Sequence, residues 1–370
     1  MADLRPAARV PLLVLGMLSL VGGVLAGLAR LDWSTPASAA NAAGWHGALM
    51  ICTFLGTVIS LERAVALGRG WAYAAPAAAG IGGIALLAAA PLILSKLLLT
   101  AAAATLLMAS TQVLRRLLAP FTIILGMGAA CWLAGNLAWL ASGTLTAAVP
   151  WWLAFLALTI AGERLELTRL LPTPAGAKKL FYAITGGIVT GAALSHWHEK
   201  AGLALFAAGL LALALWLLRY DIARRNARTT ELTRFIAACL LSGYGFLVLT
   251  GLLGLVGGFL PGHPWRDATL HAFGLGFVFS MIFGHAPIIF PAVLRVKIPY
   301  HPFFYVPLLV LHASLALRIF GGLGDAFALR RAGGLLNAIA LLLFIATMVT
   351  AVQRGKRRSA PEQTAFEKYG

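Results

Sequence analysis

Residues 266–293 read RDATLHAFGLGFVFSMIFGHAPIIFPAV. After Arg266 and Asp267, the only ionisable side chains in this run are two histidines, His271 and His285. A helix that crosses a bilayer needs about 20 mostly apolar residues. The stretch therefore predicts a spanning helix that carries imidazoles through lipid. The same criterion finds eleven more candidates, at 8–29, 43–67, 71–90, 92–118, 121–141, 149–170, 177–194, 200–218, 232–258, 302–321 and 326–352. Glycine or proline marks many of the short connections, among them Gly68, Pro91, Pro120, Pro172, Pro174, Pro261 and Pro299.

Composition agrees. The 370 residues are 60% hydrophobic and 11% charged, with a mean hydropathy of +0.88. A soluble domain is about 45–50% apolar and about 25% charged, so this chain lacks the polar surface to face water. The reading is an all-α, polytopic membrane helix bundle of about twelve helices, one integral domain over 1–370 with a short basic tail at 353–370. Its solvent partner is the lipid bilayer. Cys52, Cys131 and Cys239 each sit in an apolar run and form neither a disulfide framework nor a CxxC pair. They read as small packing residues.

The net charge of +17 resolves into orientation, because Lys and Arg collect on the cytoplasmic side of membrane segments. With both termini inside, 22 of the 29 basic residues fall on inner segments and 7 on outer ones. Only the last outer loop, with Arg330 and Arg331, runs against the trend. The charge then gives no reason to invoke nucleic acid, and the expected location is a bacterial inner membrane. Arg5, Arg9, an apolar run and Ala37-Ser38-Ala39 resemble a signal peptide. The run is longer than the usual 7–15 residues of such a segment, so a retained first helix is expected.

A weak internal echo links two helices. Phe54-Leu55 through Leu61-Glu62-Arg63 returns 101 residues later as Phe155-Leu156 through Gly162-Glu163-Arg164. The simplest reading of the repeated Glu-Arg is charge anchoring at the inner interface. Trp71, Tyr73, Trp151 and Trp152 lie at span ends, where aromatic belts are expected. Asn136, Tyr244 and Asn337 are candidates to join helices by hydrogen bonds. Lys96 can extend to the outer surface.

Ionisable groups inside a span point to function by default, so the histidines matter most. His196, His198 and His263 fall in outer loops. His46, in Trp45-His46-Gly47-Ala48-Leu49-Met50, and His271, in Leu270-His271-Ala272-Phe273-Gly274, each stand near the outer start of a helix. The two helices run in the same direction, so the imidazoles are expected at matching depth. Two neutral imidazoles from facing helices suit axial ligation of a haem iron. Gly44, Gly47, Gly274 and Gly276 would let a flat macrocycle approach the backbone. Taken one at a time, each histidine could instead simply hydrogen-bond a neighbouring helix.

His285 lies fourteen residues beyond His271, a rise of about 21 Å and close to a whole number of helical turns. An unbroken α-helix would put His271, Gly274, Val278, Met281 and His285 on one face. Pro287 and Pro291 are expected to break the helix near His285. His301 and His312, in the next segment, are eleven apart and nearly share a face. His285, His301 and His312 are candidates for a second metal site, with copper a possible ion, or for structural hydrogen bonds. No GxxxxGK[ST], HExxH or GxSxG pattern occurs, which argues against nucleotide hydrolysis, zincin and serine-hydrolase chemistry.

This pattern resembles the twelve-helix catalytic subunit of haem-copper oxidases, in which the second and tenth helices supply the axial histidines of a low-spin haem. His46 and His271 stand on the matching helices. In length and texture the chain is similar to the NnrS family, membrane proteins linked to nitric oxide metabolism and associated with haem and copper. Trp45, His46 and Met50 resemble that family's Trp-His-x-His-Glu-Met element, with Ala48 and Leu49 replacing its second His and its Glu, and Met50 one place late. Gly284-His285 is similar to its late Gly-His, although Ala286-Pro287 follows. The sixth span has no His and the seventh no His-His pair, so the copper ligands of an oxidase are missing.

The resemblance implies a haem b protein for electron transfer or nitric oxide handling, with a redox partner or a small gaseous ligand, and without a complete oxygen-reducing centre. Whether it is an enzyme stays open at this point. Two other classes also fit the sequence: a secondary transporter, which needs a polar midplane site at broken helices, and an assembly protein without a ligand.

Overall fold

A computed structural model describes residues 3–168 and 174–366. Pro172, Arg169 and Lys368, used above to place a break and to orient the chain, lie outside the described residues. Within them the chain is all-helical, without a strand. The long helices are α1 (Pro6–Ala29), α2 (Ala43–Leu67), α3 (Gly70–Leu87), α4 (Leu92–Arg116), α5 (Pro120–Ser142), α6 (Leu145–Thr168), α7 (Ala175–Leu194), α8 (Glu199–Tyr220), α9 (Glu231–Gly258), α10 (Arg266–Leu294), α11 (Pro302–Leu323) and α12 (Phe327–Phe366). Eleven of these are long and apolar enough to cross a membrane, and α7 occupies the remaining expected span with 20 residues. The protein is a polytopic helical membrane bundle. Its outer faces stay apolar: Phe320, Leu342 and Leu309 are each about two-thirds exposed, as lipid solvation permits.

The helix ends follow from local chemistry. Gly68 (φ 64°) and Gly143 (φ 75°) close α2 and α5 in the left-handed conformation that costs glycine nothing. Pro91 and Pro174 precede α4 and α7. Pro120 opens α5, where its missing N–H is no loss. α7 and α8 meet at glycine: a Cβ on Gly191 would lie 2.5 Å from the backbone nitrogen of Phe206. The chain start is pinned to the rest of the bundle. Arg9 donates to the Val293 carbonyl at 2.9 Å and pairs with Asp3 at 2.7 Å, and Tyr73 donates to Asp3 at 2.6 Å.

Several sequence expectations change. Pro287 and Pro291 do not break α10, which continues to Leu294 and ends at Arg295 (φ 55°). The irregularity sits earlier, as a π-helical segment at Ala272–Phe279, and α2 carries its own at Leu49–Leu55. α12 does not stop near residue 352 but stays helical to Phe366, through Gly355 and Pro361, since the Lys and Arg that follow the apolar span are good helix formers.

Lys96 does not reach the surface. It is 8% exposed, donates to the Trp139 carbonyl at 3.1 Å and lies over that indole at 5.3 Å. It thus meets the last-turn carbonyls of α5, where a cation is favoured. Trp152 is fully buried rather than interfacial, and Tyr73 is buried against Asp3. Asn136 joins helices as expected. It donates to Leu99 O at 2.9 Å, accepts from the Trp152 indole at 3.1 Å and lies 3.6 Å from the Cys52 thiol.

Candidate functional site

His46 enters α2 straight after a 3-10 turn at Ala43–Trp45. Its Nδ1 lies 2.7 Å from the carbonyl oxygen of Gly23 on α1. A carbonyl only accepts, so in the neutral ring Nδ1 carries the proton and Nε2 keeps its lone pair. Gly27, one turn beyond Gly23, makes space for the imidazole, since a Cβ there would sit 2.8 Å from the ring Cε1. His271, in the first turns of α10, is held the same way, with Nδ1 2.8 Å from the Asp267 carbonyl one turn back. Its Nε2 is likewise left as the acceptor. Among the described residues neither Nε2 has a hydrogen-bond partner.

The ring centres lie 6.1 Å apart, with planes inclined by 18°. That spacing leaves room for one metal bonded at about 2.0–2.1 Å to a nitrogen of each ring. Both rings open on one apolar cavity between α1, α2, α6, α10, α11 and α12. Its volume is about 180 Å³, part of it open to the surroundings, smaller than the about 300–1,000 Å³ of ordinary small-molecule sites.

Met50, Leu156 and Phe279 form apolar wall, Trp152 stands on the α6 side, and Arg318 is the one charged side chain that joins the lining. Gly47 and Gly274 lie beside the two histidines, and a Cβ on either would meet no atom within 4 Å. Gly276 does not contribute, because it is pressed under the ring of Phe246. Gly44 has open space around it but does not line the cavity.

A third group braces His271. The Asp267 carboxylate lies 3.3 Å from its Nδ1 and is gripped by Arg318, Nε to Oδ2 at 2.9 Å and Nη2 to Oδ1 at 2.8 Å. Arg318 is 7% exposed, while the Asp267 side chain keeps 27% of its surface exposed.

His285 stands apart. The expected common face of His271, Gly274, Val278, Met281 and His285 is not present. The face that continues down from His271 runs through Gly274, Leu275, Phe279, Ile282 and Ala286. The π-helical segment adds residues to each turn and rotates His285 away. His285 instead meets Arg164, Nε2 to Nη1 at 2.9 Å, while its Nδ1 lies 2.7 Å from Met281 O. Both ring nitrogens are therefore occupied.

His312 lies 2.8 Å from the Ser280 hydroxyl through Nε2, with its ring against Phe246. His301 is exposed and accepts from the Phe303 amide at 3.1 Å, capping the start of α11. The three do not converge, and among the described residues no group of three or more His, Cys, Asp or Glu is arranged to hold a metal ion.

Arg164 is no interfacial anchor. It is 2% exposed and donates to Asp221 at 3.0 Å, and Asp221 also accepts from the Ala223 amide at 2.7 Å. A guanidinium this deep needs a paired carboxylate, which is why the second Glu-Arg of the echo turns inward. Tyr244 lies beside the same pair.

The sequence reading missed Asp267, Arg318, Gly27, Trp152 and the Arg164–Asp221 pair as parts of these sites. Two signals were available: an aspartate four residues before His271, and an arginine inside an otherwise apolar span.

Residues 9–353 match the family model described as Domain of unknown function (DUF8744). The chain belongs to that family. The family's matched range takes in both cavity histidines, the Asp267–Arg318 pair and the Arg164–His285 network. No curated protein matches the chain.

Proposed function

We propose that this protein binds a b-type haem in the membrane, with His46 and His271 as the two axial ligands. The observation that carries the reading is the paired imidazole geometry. Each Nδ1 is tied to a backbone carbonyl, each Nε2 is free, and the ring centres lie 6.1 Å apart across one cavity. A hydrogen bond from the far nitrogen is the usual way a ligating histidine is fixed in tautomer and orientation. The residues fit a flat macrocycle: the cavity is mainly apolar, and the two glycine positions beside the ligands leave open space. When bound, haem would supply one-electron redox chemistry.

The chain's own part is to hold the iron from both sides, exclude water with Met50, Leu156 and Phe279, and keep Arg318 at the wall. With both axial positions taken by histidine, electron transfer suits the site better than oxygen chemistry. This fits a relative of the haem-copper oxidase or NnrS type without the oxidase copper site, with nitric oxide handling as the alternative within that reading. The charge count supports both termini on the cytoplasmic side of a bacterial inner membrane. α1 supplies the Gly23 carbonyl to His46, which favours a retained first helix. A second metal at His285, His301 and His312 gains no support, because their nitrogens are engaged separately.

The test is a reduced-minus-oxidised visible spectrum of the purified full-length protein. The expected result is a low-spin b-type spectrum that disappears in His46→Ala and in His271→Ala. A preparation without a chromophore that takes up a solute into vesicles would replace this reading with the transporter.

A further inference from the structure

The two cavity histidines are held in unequal electrostatic surroundings. His46 has one partner on Nδ1, the neutral carbonyl of Gly23 at 2.7 Å. His271 has the Asp267 carbonyl at 2.8 Å and, in addition, the Asp267 carboxylate oxygen at 3.3 Å. Arg318 grips that carboxylate by two bonds, one of them to the same Oδ1 that faces His271. It fixes the position of the carboxylate and opposes its charge at the imidazole. Arg330 also lies within electrostatic range of Asp267, and Arg30 within range of both histidines.

We infer that Asp267 is a positioning residue that makes His271 the stronger electron donor of the two axial ligands, and that Arg318 limits the effect, so that this ion pair sets the midpoint potential of the bound haem. The inference rests on the haem reading above. A carboxylate beside Nδ1–H draws on that proton and raises the basicity of Nε2. A more basic axial nitrogen and a nearby negative charge both favour the oxidised, more positive metal, which lowers the potential. A positive charge has the opposite effect. No carboxylate stands beside the His46 Nδ1, whose partner is the Gly23 carbonyl, although Arg318 lies within electrostatic range of that ring as well.

The two partners therefore carry opposite signs, and a purely structural role for the ion pair would not produce that. The experiment is a potentiometric titration of the purified, haem-loaded full-length protein and its variants, with the haem-to-protein ratio measured in each. Asp267→Asn keeps the bis-histidine spectrum and raises the potential, by a factor of about ten in the reduction equilibrium, which is about 59 mV for one electron. Arg318→Gln lowers it. The double variant Asp267→Asn/Arg318→Gln, which leaves no lone charge in the wall, falls between the two single variants because the opposite contributions cancel in part.

Equal potentials in haem-loaded wild type and Asp267→Asn, or shifts of the same sign in the two single variants, overturn the inference and leave haem binding standing. If one single variant does not fold, the double variant is compared with the other: a potential below that of Asp267→Asn, or above that of Arg318→Gln, supports the inference, and an equal potential overturns it. A wild-type protein with no haem absorbance overturns the proposed function and this inference together.

Discussion

The bundle treats its buried histidines in two ways. In the half where α2 and α10 begin, His46 and His271 each use one nitrogen to fix the ring and leave the other facing a cavity. In the half where α6 and α10 end, His285 spends both nitrogens, one on Arg164 and one on Met281 O. The difference separates binding from scaffolding. A lone pair kept out of every hydrogen bond stays available to a ligand. A fully satisfied imidazole needs no further explanation.

The sharpest way to break that comparison is to swap the consequences. His46→Ala or His271→Ala should abolish the visible spectrum, while His285→Gln should leave haem content and spectrum unchanged. Loss of haem in all three, measured per mole of purified protein, would erase the distinction.

The next largest effect belongs to the scaffolding half. Arg164→Leu strands the buried Asp221 carboxylate and frees the His285 nitrogen. Removing one partner of a buried pair costs about 3–5 kcal/mol, to be read as a lower midpoint of denaturation in detergent. Adding Asp221→Asn should recover part of the loss. No loss in Arg164→Leu would mean that water already reaches the pair.

Filling the cavity tests the binding half without touching a ligand. Gly274→Leu and Gly47→Leu place side chains into space that holds no atom within 4 Å of the new Cβ. Stability should hold or rise slightly, since apolar area is buried at about 25 cal/mol per Å², and haem content should fall several-fold. Full haem loading in both variants would show that the ligand lies elsewhere.

The sequence made the bundle legible because lipid imposes one rule on every helix: each span must be long and apolar. It also picked out His46 and His271, because two histidines near the starts of helices that run the same way fall at one depth. What it could not supply was rotation. His285 was assigned to the face of His271 by counting 3.6 residues per turn, and the π-helical segment at Ala272–Phe279 broke that count. Nothing in Phe273-Gly274-Leu275-Gly276-Phe277 distinguishes a π turn from an α turn. Arg164 was read as a boundary charge and Arg318 was passed over, because sequence gives depth along a helix but not the direction in which a side chain points. Their acidic partners, Asp221 and Asp267, are 57 and 51 residues away, beyond any local pattern.

The smallest expected effect concerns how tightly the His46 ring is aimed. Gly27 lies where a Cβ would be 2.8 Å from Cε1 of His46, closer than ordinary contact allows, so Gly27→Ala must push the ring or shift α1. The strain of adding a methyl to a packed site is about 1–3 kcal/mol. It falls on a residue that keeps its proposed ligand role, so haem should stay bound. What should change is the angle between the two imidazole planes, now 18°, and with it the low-spin electron paramagnetic resonance of the oxidised protein, which responds to the relative orientation of axial rings. The corresponding change at the other helix, Gly274→Ala, meets open space and should leave that signal where it was. Equal shifts in both variants, or none in Gly27→Ala, would mean that the Gly27 contact does not aim the ring and that the Gly23 carbonyl alone holds His46 in place.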